Sequence, residues 1–142
     1  MKTNEQISAL VNAAFADRHA AFRPCAFFDD RLDCIRIVTR DCSVTEMRVS
    51  DLITILEMSH PPHGKNKCVG FTVKGARHFC NQHGFNLSAP LKMSALLDAL
   101  MKSAPSLVVQ TIIERIVKPL VEEANLDHVE PSPAYKSIPQ TI

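Results

Sequence analysis

Residues 107–124 read LVVQTIIERIVKPLVEEA, and within them Val109, Ile112, Ile113, Ile116, Val117, Leu120, Val121 and Ala124 recur at the i, i+3, i+4, i+7 spacing of a helix. The apolar band is wider than one core contact requires, so it either sits deep in the fold or meets a second copy of the chain. On this reading Val109, Ile112, Ile113, Ile116, Val117 and Leu120 form a homodimer interface. Pro119 falls inside the pattern, where it removes a backbone hydrogen bond at a cost of ~3 kcal/mol unless the helix bends. A kink or break is therefore predicted between Arg115 and Pro119. Upstream, Ser103-Ala104-Pro105 suits a tight start with Pro105 in the first turn. A further helix over about 89–102 places Met93, Leu96, Leu97, Leu100 and Met101 on one side.

The first half of the chain has a different period. Cys25 to Phe28, Asp33 to Thr39 and Val44 to Val49 are short apolar segments separated by Asp29-Asp30-Arg31 and Arg40-Asp41-Cys42-Ser43. Ile35, Ile37 and Thr39 alternate in the second and Thr45, Met47 and Val49 in the third, which predicts an antiparallel meander with one wet face. Cys68 to Val73 adds a candidate fourth strand. Between them, Ser50 and Asp51 can cap a segment in which Leu52, Ile55, Leu56 and Ser59 share a helical face; helix is favoured there, with Ile53 and Ile55 keeping a strand as the alternative. Thr3 and Gln6 form a candidate capping box for a first helix from about Asn4 to Arg18. A short helix over Ala76, Phe79, Cys80 and His83 is stopped by Gly84. The fold class is thus α+β: an antiparallel sheet of three or four strands packed against several helices, with a helical C-terminal half. Residues 1–126 form one domain, and 127–142, with Pro131, Pro133 and Pro139, an extended or disordered tail.

Composition narrows the classes. Sixteen Lys plus Arg against fifteen Asp plus Glu leave a net charge of +1, too little field to steer a polyanion. No stretch approaches the roughly 18 apolar residues that cross a bilayer, so no membrane partner is expected. Cys25, Cys34, Cys42, Cys68 and Cys80 are an odd number without CxxC spacing, which fits a reducing, cytoplasmic setting.

Three constellations carry chemistry. His60, His63, Cys68, His78, Cys80 and His83 supply imidazole and thiol, and His60 and His63 in a Pro-rich loop can converge with Cys80 and His83, one helical turn apart, as zinc ligands; the spacing is not that of a zinc finger, and burial of Cys80 as a small apolar group is the simpler account. Phe79, Cys80, Gly84, Phe85 and Ser88 follow the order of an apolar residue, a small residue, a turn glycine, an apolar residue and a hydroxyl. Over residues 76–93 the chain thereby resembles the helix-turn-helix family of DNA-binding domains, which implies a recognition helix beginning around Pro90 and a nucleic-acid partner. That helix would offer phosphate only Lys92 and Lys102, beside Asp98. The third group is Arg40, Asp41, Ser43, Thr45 and Glu46 with Lys74, Arg77 and His78, which would gather at one sheet end around an anionic ligand or a partner protein if the strand ending at Val73 lies beside the hairpin.

Cys80 or Cys42 beside a histidine is the material for a nucleophile–base pair, but no orienting residue accompanies either, and four glycines leave little for a phosphate loop. The reading that remains is a small cytoplasmic accessory or regulatory protein that binds other proteins and dimerises through its C-terminal helices, ahead of a DNA-binding regulator and of a zinc-binding protein or small Cys/His enzyme.

Overall fold

The computed structural model describes residues 3–9, 22–61 and 67–131. The architecture is α+β. A five-stranded antiparallel sheet is built from β1 (Cys25–Asp29), β2 (Cys34–Val38), β3 (Val44–Arg48), β4 (Ile53–Met58) and β5 (Cys68–Lys74) in the spatial order β1-β2-β5-β4-β3. The helices are α1 (residues 4–9), α2 (Ala76–Gln82), α3 (Met93–Ser103), α4 (Leu107–Ile112) and α5 (Lys118–Glu123); a π-helical turn, Ile113–Val117, joins the last two into one rod. A two-stranded ribbon pairs β6 (Leu91–Lys92) with β7 (His128–Val129).

The sheet has one strand more than the highest expected count, because 53–58 is a strand and not a helix. Ser50 does accept hydrogen bonds from the backbone ahead of it, from Leu52 N–H at 3.2 Å and Ile53 N–H at 3.1 Å, but these close a turn between strands. Ile53, Thr54, Ile55 and Leu56 are all buried, since β4 lies between β3 and β5 with both faces covered. Without a wet face the period of two vanishes from the sequence, and β-branched side chains then decide for the extended form. Nor is the sheet a plain meander: β3, β4 and β5 follow one another, but β2 lies against β5, a Greek-key order run in reverse.

Register aligns two rows on the helix-bearing face, Phe28-Ile35-Val73-Ile53 and Ala26-Ile37-Phe71-Ile55. Onto them pack Phe79 and Cys80 from α2, Met93, Leu96 and Leu100 from α3, and Val109, Ile113, Val117 and Val121 from the last rod, all in one core. At Gly70 a Cβ would overlap the Ile37 carbonyl oxygen and press Leu56, so only glycine lets β5 approach β2 this closely.

Several local expectations hold. Thr3 and Gln6 form the reciprocal capping box, Gln6 N–H to Thr3 Oγ1 at 3.3 Å and Thr3 N–H to Gln6 Oε1 at 3.0 Å; the remainder of the expected first helix, from residue 10 onward, lies outside the described residues. Gly84, at φ +71°, ends α2 with Phe85 N–H bonded to Cys80 C=O at 2.8 Å. Ser106 rather than Pro105 opens the last rod, its Oγ accepting from Val109 N–H at 3.3 Å. The predicted distortion before Pro119 is the π turn, in which Lys118 N–H reaches back to the Ile113 carbonyl. An in-line proline ring collides with the carbonyl four residues earlier, and the wider turn is what accommodates it.

From His128 to Glu130 the chain is extended but belongs to the fold. Val129 is buried, β7 pairs with β6, and Glu130 exchanges backbone bonds with β1, Phe28 N–H to Glu130 C=O at 2.9 Å and Glu130 N–H to Ala26 C=O at 2.8 Å. The described body therefore continues to Pro131, and 132–142 lie outside the described residues.

Replacing Gly70 by alanine forces β5 away from β2. A loss of about 2 kcal/mol is expected in urea unfolding, the scale of an overpacked core; an unchanged midpoint would mean the strands move apart freely.

Candidate functional site

Side chains of the last rod repeat every four residues. In a regular α-helix four residues overshoot one turn by about 40°, so Val121 would stand about 120° from Val109. The π turn inserts one residue and takes back about 100°, keeping Val109, Ile113, Val117 and Val121 in line on the core, where all four are buried. The same register sorts the neighbouring stripes. Val108, Ile112, Ile116 and Leu120 run along one flank, and Gln110, Glu114, Lys118 and Glu122 along the other.

The band read as a dimer interface therefore splits. Val109, Ile113 and Val117 are consumed inside the chain, whereas Ile112 and Leu120 are half-buried and Ile116 is 37% exposed. Leu107 and Val108, at the start of the same flank, are 77% and 68% exposed. This leaves an apolar surface smaller than the sequence predicts and displaced toward the N-terminal end of the rod.

On the charged flank a cleft of about 800 Å³ separates the rod from α3. The short link 104–106 makes the two helices antiparallel neighbours, and the far ends are tied by Met93 N–H donating to Asp127 C=O at 2.8 Å. Leu97 and Met101 from α3, and Leu126 after α5, are half-buried on its floor together with buried Met93, Ile113 and Val121. Asn125, at φ +56°, makes the sharp exit: Leu126 N–H bonds to Val121 C=O at 3.1 Å and Asn125 N–H to Glu122 C=O at 3.1 Å, the paired bonds of a Schellman cap. That cap delivers Leu126, Asp127 and His128 to one end of the cleft. Asp98, Glu114, Lys118 and Glu122 stand exposed along its walls, with Lys92 at the α3 end.

The proposed polar cluster is not assembled, because register separates its halves. Lys74 pairs with Cys34 at the start of β2, while Arg40, Asp41 and Ser43 follow the end of β2, so Lys74, Arg77 and His78 lie at the opposite end of the sheet from them. Glu46, paired with Leu56, is an exposed residue of edge strand β3. Arg77 fastens α2 to the β1–β2 turn. Its Nη2 donates to the Asp30 carboxylate at 2.6 Å and to the Asp30 carbonyl at 2.7 Å, its N–H donates to Asp33 Oδ1 at 2.9 Å, and its guanidinium sits 5.7 Å from the Phe28 ring centre.

Of the proposed metal ligands, Cys80 is 1% exposed within the core and His83 is engaged elsewhere, its Nε2 3.1 Å from Ser103 Oγ and its ring stacked on Phe85. His60 is exposed beyond the end of β4, and His63 lies outside the described residues. Among the described residues no three His, Cys, Asp or Glu side chains converge as a metal site. The helix-turn-helix geometry does not form either. α2 and α3 are separated by residues 83–92 where the family has a turn of three or four residues, because Pro90 is followed by β6 and not by a helix.

Burial pushes the Cys80 thiol up to about 11, with the Asp33 charge adding to the effect, and burial also raises Cys25, Cys34 and Cys68. Two outcomes are expected. In native protein exposed Cys42 reacts first with a thiol reagent and Cys80 last. The native Cys80 thiol holds its proton above 9.0, the value for the unfolded chain, so its contribution to stability is full below pH 9 and falls as pH rises toward 11. Mass-mapped labelling and urea titrations across that range check both, and early labelling of Cys80 would contradict its burial.

No protein-family model, curated protein or solved structure matches the chain, leaving the geometry of its own surface as the ground for a functional reading.

Proposed function

We propose that this chain is a small accessory or regulatory protein that works by binding other protein chains, and that it forms a homodimer through the outer flank of its last rod. The observation that carries this reading is the stripe from Leu107 and Val108 through Ile112 and Ile116 to Leu120, in which Leu107, Val108 and Ile116 remain exposed while Ile112 and Leu120 pack in part against the core. A straight stripe on one rod is self-complementary under a two-fold axis, the commonest symmetry of soluble homodimers. Five unpaired thiols support a reducing compartment, and we place the protein in the cytoplasm on that ground.

Light scattering across a dilution series is expected to give a dimer at high concentration that dissociates on dilution. The double change Val108→Glu and Ile116→Glu should yield a monomer with an unchanged circular dichroism spectrum, since neither side chain belongs to the core. A wild-type protein that stays monomeric at the highest attainable concentration would falsify the dimer.

A further inference from the structure

The cleft between α3 and the last rod lies on the flank that self-association leaves free, and its shape and charge define an occupant. It is bounded by two antiparallel helices, and its lining from Lys92 to Met101 gives it a length of about 14 Å. The floor is a stripe at i, i+4, i+8, Met93, Leu97 and Met101, facing Ile113 and Val121 of the rod. An elongated apolar trough of about 800 Å³ between two helices accepts a third helix of some three turns, laid in with its apolar side down. Two of the floor residues are methionines, whose unbranched thioethers adapt to the shape of what they contact.

Charge selects the kind of helix. Asp98, Glu114, Glu122 and Asp127 line the walls against Lys92 and Lys118, in a chain whose net charge is only +1. All four carboxylates are exposed, and none takes part in an ion pair or a side-chain hydrogen bond among the described residues. Acidic residues stand on both walls, Asp98 on α3 and Glu114 and Glu122 on the rod. We infer that the cleft is a docking groove for an amphipathic helix of another protein that carries Lys or Arg on both sides of its apolar stripe.

The probe is a fluorescein-labelled helical peptide of about 18 residues with Leu at i, i+3, i+4, i+7 and Lys elsewhere, compared by fluorescence anisotropy with the same peptide carrying Glu for Lys. The Lys peptide should bind at least about tenfold more tightly than the Glu peptide and weaken as salt is raised. Reversing two exposed wall charges, Asp98→Lys with Glu122→Lys, should weaken the Lys peptide by about tenfold, with circular dichroism showing the fold intact, while Val108→Glu with Ile116→Glu leaves it unchanged. The inference is overturned if the Lys peptide does not bind, if the two peptides bind alike, if the wall reversal has no effect, or if the Val108/Ile116 change abolishes binding, which would put the peptide on the other flank.

Discussion

The ring of Pro119 shapes the C-terminal half of this protein. The rod must widen before that residue, and the width is what brings a four-residue repeat into register with a helix whose natural repeat is 3.6. Val109, Ile113, Val117 and Val121 then form one straight stripe against the sheet. With a regular turn, Val121 would rotate out of the core and Leu120, eleven residues from Val109 and so within about 20° of it, would take its place. The turn sets the core contact and, in the same stroke, the composition of both flanks.

The two flanks have opposite character although they belong to one segment. One is a line of aliphatic side chains with little charge, suited to a copy of itself; the other combines an apolar floor with carboxylate walls. The two proposed contacts draw on different chemistry, burial of apolar area on one flank and burial with charge complementarity on the other. Three side chains that look reactive in the sequence are occupied otherwise: Cys80 fills core space, His83 packs against Phe79 and Phe85, and Arg77 holds a helix to a turn.

Much of the fold was legible because it is written in local signals. Alternation marked β2 and β3, the capping box marked the first helix, Gly84 marked the end of α2, and Pro119 announced a distortion. What escaped depends on neighbours distant in sequence. β4 reads as a helix because a strand buried on both sides carries no alternation, and its place beside β5 is settled by pairing across the bulge near Leu56 and Glu57. The ribbon of β6 and β7 joins two-residue strands that no periodicity can reveal. The wide apolar band was visible, but its division into a buried stripe and an exposed one depends on a single extra residue in one turn. The cleft is a tertiary feature, and only the floor from α3 had a signature, the spacing of Met93, Leu97 and Met101.

The sheet's first strand is finished by some of the last residues described. β1 is hydrogen-bonded to β2 on one side, and its other side is bonded by Glu130, about a hundred positions downstream. During synthesis, then, β1 leaves the ribosome long before the backbone that covers it. Until that backbone arrives the strand presents unpaired amide and carbonyl groups, the template on which chains join wrongly. The fold is thus closed late: vectorial synthesis can build the centre of the sheet, but protection of its β1 edge waits until Glu130 has been made, and a nascent chain halted before that residue would carry the edge open into the cell.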